Sequence, residues 1–510
     1  MYKLLFTLLI ILPVSGFTQK HNSYPVAVET VLAEAGKNKA ELQKAITYFK
    51  KSGDPLKLKA VYFLIENMDI HSSADYYWAD ASGKKITYNE FAYPDFNAAA
   101  KAAGLIPSQH SGAHMVPVMM PDISMIKGDF LIDHINRMFA AWRTSWDKTI
   151  SFNDFCEYIL PYRVSVEPLQ NWTATYTNQF RWFKDSLKTN GIQKELAMLS
   201  INVNTWFTNT NELENRNEPL PRLGAMQLLF RKKGPCEDVA DLSAFILRSQ
   251  GIAVALDEIP YWATSTGSHF TTLVFDLQMH TTRFDLSRID AISNNAVPRE
   301  PSKVIRVTYS KQPGTLAGFE KLQDIPDGFM RTLNYKDVTA DYWPTINITC
   351  PLFPVKNSAK IVYAYIFNGL KWKPTWWGRK NGNSVSFTTM SKGVVYLPAF
   401  YKDNKMIPAG YPLVEGYHHE MSLVPDLNKR TSIVLKQESG YLTFRPGKKY
   451  RLYYWNNKWQ LLAQQVANIG TSEMLFGDVP KNSLLLLVPE YSQKKERPFI
   501  ITDDGKRNWF

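Results

Sequence analysis

Apolar residues recur three to four positions apart at Val239, Leu242 and Ile246, with Ala240 and Leu247 beside them, and the run breaks at Gly251. That spacing predicts a helix that opens at Gly234-Pro235-Cys236 and is closed by a glycine. Past Gly251 the period shortens. Residues 252–256, 269–275 and 281–286 read as strands, the first two separated by a Pro/Trp/Thr/Ser/Gly loop and the last two by a short turn at 276–278. A turn centred on Leu277 sets His269 directly across the ladder from Asp285, with Cβ atoms about 4.5–5.5 Å apart. A turn centred one residue later would break that pairing.

Upstream, the pattern is helical from residue 23 to about 146. Asn38 and Glu41 have the spacing of a capping box, and Asp54-Pro55 starts a helix whose stripe is Leu58, Val61, Tyr62, Ile65 and Met68. Further helices are expected at 131–142, 193–206 and 222–230. Beyond about Asp337, short β-branched and aromatic runs at 360–367, 394–397, 450–455, 458–462 and 484–488 alternate with Asn/Gly and Pro/Gly turns, and Asn456-Asn457 reads as a hairpin link. No repeat period occurs. The expected fold is α+β and multidomain: a helical N-terminal region at 17–146, a central α+β thiol domain at 147–335, and an all-β sandwich region of one or two modules at 336–510.

Composition changes this picture little. At 510 residues, 45% hydrophobic and 21% charged, the chain is globular and long enough for two to four domains. Lys3 followed by an apolar run of 11 residues, 4–14, and a small-residue site at Val14-Ser15-Gly16 reads as a cleaved export signal covering 1–16. That run is too short to span a bilayer, which takes about 20 residues. The net charge of +12 is spread along the chain without a nucleic-acid motif, so an acidic surface or polyanionic glycan is a more natural partner than DNA or RNA.

Candidate chemistry centres on Cys236. A thiol in the first turn of a helix meets unpaired N–H groups and a positive dipole end, which favour the thiolate. His269 and Asp285 supply an imidazole and a carboxylate of the kind that orients it. There are three cysteines, so at least one is unpaired in an oxidising compartment: Cys236 is the expected free thiol, and Cys156 and Cys350 are either bridged or simply core.

Gly234-x-Cys236-x-Asp238, Leu247-Arg248, Gly251-Ile252, His269 and Asp285 together resemble the transglutaminase-like core, a papain-related thiol fold. The segments 57–68 and 155–163 are similar to those of secreted bacterial proteins built on that core. The resemblance implies Cys236 as nucleophile, His269 as general base and acid, and Asp285 as the orienting carboxylate. Phe270-Thr271 departs from the small residue and Trp that commonly follow the histidine.

Around this set, Gln227 and Trp206 are upstream candidates for an oxyanion donor beside the Cys236 N–H, and Trp262 for a wall of the acyl cleft. The pairs His110/His114 and His418/His419 lack a helix-borne acid, so they read as solvated loops, and no metal or other cofactor is expected. The expected activity is secreted, cysteine-dependent acyl transfer, mainly hydrolysis of peptide or other amides. The alternative is an idle module that binds glycan or protein at the cell surface. Trp372, Trp376 and Trp377 would then offer stacking faces in the β region, unless they pack between sheets.

Overall fold

The computed structural model of the protein describes residues 24–144, 150–210, 216–276, 278–287, 292–293, 297, 299–354, 359–415 and 420–510. The 1–16 signal and the His418-His419 pair lie outside the described residues. Helix and strand each make up 32% of the chain, which places it in the mixed α/β class. Among the described residues no helix is long and apolar enough to cross a membrane, and no group of three or more His, Cys, Asp or Glu side chains could hold a metal.

Local signals explain the helix Pro55–Glu66. Asp54 Oδ1 accepts from the N–H of Leu56 at 3.1 Å and of Lys57 at 3.3 Å, and Pro55 occupies a first-turn position where no N–H is needed. The helix Lys39–Ser52 starts where Asn38 and Glu41 suggested, without the capping box. Asn38 Nδ2 donates instead to the carbonyls of Ile123 (3.1 Å) and Ile126 (2.8 Å), and Glu41 Oε2 accepts from Gly128 N at 2.8 Å. Buried carbonyls and the unpaired N–H at the buried start of the helix Gly128–Arg143 need partners, and that demand outweighs the local cap.

The N-terminal region is not purely helical. Ser72–Ala79 forms the middle strand of an antiparallel sheet between Lys85–Ile86 and His114–Pro121. His114 therefore opens an edge strand rather than lying in a plain loop. Pro117 and Pro121, which cannot complete a ladder, are tolerated there because the strand has one neighbour only.

Arg163 ties this region to the centre. Its Nε and Nη2 hold both oxygens of Asp122 at 2.6 and 2.7 Å, Nη2 also donates to Ser73 Oγ at 2.8 Å, and Nη1 donates to the carbonyls of Ser165 and Glu167. Tyr162 Oη donates to the same carboxylate at 2.8 Å, and Arg248 Nη1 donates to the Arg163 carbonyl at 2.8 Å. The guanidinium and carboxylate are 2% and 0% exposed, so their charges survive burial only as a saturated set.

The central sheet has six antiparallel strands in the order Tyr335–Asp337, Ile305–Val307, Val254–Ile259, His269–Phe275, Thr281–Phe284 and Ile292–Ser293. The helix Cys236–Ser249 packs on its third and fourth strands, Val254–Ile259 and His269–Phe275. One hydrophobic core runs from Val28 through Phe155, Trp172 and Phe245 to Tyr309, so the N-terminal helices and this sheet share an interior. Cys156 lies in that core and Cys350 in a separate one, and no disulfide joins them.

The C-terminal region contains a half-barrel sheet. Ile361–Asn368, buried along its whole length, pairs with Lys371–Asn381 and Val395–Lys402. A five-stranded sheet follows, in which the hairpin through Asn456-Asn457 pairs Trp455 with Trp459. Trp372 packs against Trp455, Trp459 and Phe367 where the two sheets meet. Trp377 meets Phe319, and Trp376 lies under the buried Lys303, whose Nζ is 4.1 Å from the ring centroid. All three tryptophans are engaged in packing.

Candidate active site

The chain reaches the thiol through a position that only glycine fits. A Cβ on Gly234 would stand 2.5 Å from Asp238 Cβ and Oδ2. Asp238 is fully buried, accepts from Leu223 N at 3.1 Å and pairs with Arg216, so it cannot give way. Pro235 caps the helix Cys236–Ser249, its carbonyl accepting from Val239 N at 3.0 Å. At the far end Gly251, at φ 78°, lets Ile252 N reach the Leu247 carbonyl at 3.0 Å and stops the helix.

Cys236 is half-buried, and its Sγ donates to Glu237 Oε2 at 3.3 Å. Burial pushes the thiol up to about 12, and the Glu237 charge adds to the rise. The Phe270 N–H and the Arg222 charge act the other way and do not offset it. The helix terminus was expected to make this cysteine a ready thiolate. Desolvation and an adjacent carboxylate outweigh that pull. Glu237→Gln removes the charge and leaves only a neutral amide oxygen as acceptor, so iodoacetamide labelling of Cys236 near pH 8 is expected to quicken about tenfold. Unchanged labelling kinetics would show that burial alone sets the reactivity.

His269 opens its strand opposite Ile259 and stacks on Trp262, with ring centroids 6.0 Å apart and planes at 28°. Trp262 thus stands beside the imidazole, capped on another side by the Arg299 guanidinium at 5.3 Å. Its loop is held from the C-terminal region: Asn368 Nδ2 donates to the carbonyls of Trp262, Ser265 and Gly267 at 2.9, 3.0 and 3.1 Å. Burial lowers the His269 pKa. Of the charges that act on the ring, Asp285 is the strongest and favours the cation. Among the described residues no hydrogen bond joins His269 to Sγ or to Asp285.

The register explains the second gap. Phe275 pairs with Thr281 and Thr272 with Phe284, so the hairpin turns one residue later than Leu277 and the direct His269–Asp285 pairing is not formed. Asp276 is the cause. Its Oδ1 accepts from Gln278 N at 2.9 Å and His280 N at 2.8 Å, making it the last residue before the turn, and Met279 closes the turn at φ 61°. Continued along the strands, this register sets Asp285 across from Thr271 and diagonal to His269. Asp285 Oδ1 accepts from Ser287 N and Oγ at 3.1 and 2.7 Å. Asp285→Asn is expected to lower the His269 pKa further, visible in an NMR titration of the ring protons. An unmoved titration would remove Asp285 from the site.

The two upstream donors are not free for an oxyanion. Gln227 Oε1 accepts from Gly224 N at 2.7 Å and its Nε2 donates to Glu90 at 2.6 Å, so it caps the helix Ala225–Arg231. Trp206 packs near Phe180, and its Nε1 points at Asn202 Oδ1 at 3.4 Å, one helical turn back. The buried Gln227 amide takes the nearest partner, and the half-buried Trp206 indole turns to its own helix.

Sequence reading missed three groups around the thiol: Glu237, Arg222 and Glu258. Arg222 lies over the Phe270 ring at 4.5 Å, while Glu258 pairs directly with Phe270 across the ladder. Burial raises the Glu258 pKa to about 7, with Arg222 opposing the rise and Glu237 adding to it. An acid within the apolar run 252–259 was the available signal for Glu258. No protein-family model and no curated protein matches this chain.

Proposed function

We propose that this chain is an exported, cysteine-dependent acyl-transfer enzyme of the transglutaminase-like kind, hydrolysing peptide or other amide bonds. The observation that carries the reading is the placement of Cys236. A half-buried thiol stands at a helix start, faced by the N–H of Phe270, and the residue before Phe270 in that strand is a histidine whose cation Asp285 favours. In the proposed reaction the Sγ proton passes to His269 and sulfur attacks the amide carbonyl carbon. The tetrahedral intermediate collapses, the amine leaves with that proton, and an acyl thioester remains on Cys236. Water then attacks the thioester, His269 taking its proton and returning it to sulfur as the acid departs. Geometry between thiol and imidazole is often loose in the absence of substrate and tightens on binding.

A second reading, an idle module that binds glycan or protein at the cell surface, is favoured by one observation: the Sγ proton is held by Glu237 and His269 makes no hydrogen bond to sulfur. A panel of amide donors offered with a labelled primary amine at millimolar concentration separates the readings. Acid and free amine as main products are the expected result. Mostly amine-bearing product would replace hydrolysis with cross-linking, and neither product nor thioester across the panel would favour the idle module.

A further inference from the structure

A cavity of about 390 Å³ opens beside the thiol, lined among others by Arg222, Glu237, Glu258 and Phe270. Cys236 does not itself line it, but two of the lining residues touch the thiol: Glu237 accepts the Sγ proton and the Phe270 N–H faces sulfur. Its size is at the low end for a ligand site, enough for a residue or two rather than a polymer. Val164, Leu256, Ile305, Val307 and Tyr335 give it apolar walls.

Polar groups of its lining lack partners, Arg222 Nη1 and Glu258 among them. Arg222 is 6% exposed; Nε donates to Ser165 Oγ and Nη2 to Asp241, each at 3.1 Å, while Nη1 is buried with no hydrogen bond. A buried guanidinium nitrogen without an acceptor costs free energy unless a ligand supplies one. The half-buried Glu258 carboxylate makes no hydrogen bond among the described residues. The lining carries two carboxylates, Glu237 and Glu258, against one guanidinium, Arg222.

We propose that this cavity binds the first residue of a peptide bearing a free amino terminus: its α-ammonium between Glu237 and Glu258, its carbonyl toward Arg222 Nη1, and an apolar side chain against Val164, Leu256 and Val307. The inference rests on the acyl-transfer reading, which it deepens by naming the substrate class. Glu237 selects the α-ammonium over a distant one. Its carboxylate is 3.3 Å from Sγ, so a cation that pairs with it sits close to the carbon under attack, and the α-nitrogen is two bonds from its own carbonyl carbon. Pairing with the ammonium also draws Glu237 away from the thiol proton. Binding is expected to strengthen from pH 6 to pH 7.5, as Glu258 ionises through about 7 while the α-amine, near 7.7–8.0, stays largely protonated.

The test uses full-length Cys236→Ala, which cannot turn over, and calorimetric titration with three probes: leucyl-glycinamide, N-acetyl-leucyl-glycinamide and N-acetyl-lysinamide. Leucyl-glycinamide is expected to bind at least tenfold more tightly than either acetylated probe. Glu258→Gln in the same background is expected to remove that preference with its melting temperature unchanged. Where Glu258→Gln melts early, Thr332→Trp, which obstructs the exposed rim of the cavity, is expected to abolish binding instead. Equal binding of the acetylated leucyl probe overturns the ammonium contact, equal binding of the lysyl probe overturns the α-position, and no binding by the folded protein overturns the site. Binding as expected alongside a wild-type protein without turnover would leave this site standing and remove the acyl-transfer reading alone.

Discussion

His269→Ala is expected to lower turnover of an amide substrate by about 10²–10⁴-fold, the range that positioned proton transfer supplies. The fold is expected to persist, because the imidazole bonds to no other described side chain and its stacking on Trp262 is one contact at the end of a strand. Release of a fluorescent amine from a peptide amide, with circular dichroism as control, measures both. Retained turnover in a folded variant would assign the proton transfer elsewhere, with Glu237 the first alternative because it already holds the Sγ proton.

The largest effect on stability is expected at Arg163. Arg163→Ala leaves the Asp122 carboxylate, 0% exposed, with the Tyr162 hydroxyl but without its cation, and strips the carbonyls of Ser165 and Glu167 of a donor. Breaking a buried pair from one side costs about 3–5 kcal/mol. The network joins the strand at Ser73, the segment 163–167 and the helix of Cys236 through Arg248, so the loss is expected to reach the thiol. Urea unfolding followed by tryptophan fluorescence measures it. A midpoint within error of wild type would show that water replaces the guanidinium at no net cost.

What could be read from the chain was local. Asp54-Pro55 forecast a helix start because both the cap and the missing N–H act within three residues, and Gly251 forecast a helix end for the same reason. The stretch from Cys236 through the strands His269–Phe275 and Thr281–Phe284 was legible because its periodicities switch cleanly. Illegible features depended on partners far along the chain. The strand Ser72–Ala79 pairs with His114–Pro121 across an intervening helix, and Asn38 bonds to carbonyls more than eighty residues away. At the site, two bonds to one Asp276 oxygen moved a turn by one residue and shifted Asp285 from opposite to diagonal. Gln227 and Trp206 had the right chemistry, but their hydrogen bonds were already committed. Arg222 gave no sign in sequence that one of its nitrogens would be left over.

The loop that presents Trp262 to His269 is tied to the segment 299–302 and, from much farther along the chain, to one amide. Three of its carbonyls converge on Asn368, at the end of a wholly buried strand of the half-barrel region. The histidine's neighbour is thus positioned by a part of the chain roughly a hundred residues downstream of it. Such wiring makes the two parts poor cassettes. A recombination that exchanged the β region for an unrelated one would keep Cys236, His269 and Asp285 in their order along the chain, yet hand the Trp262 loop to a partner with no donor for its carbonyls. The lineage of this thiol site and the lineage of that sheet are expected to have travelled together.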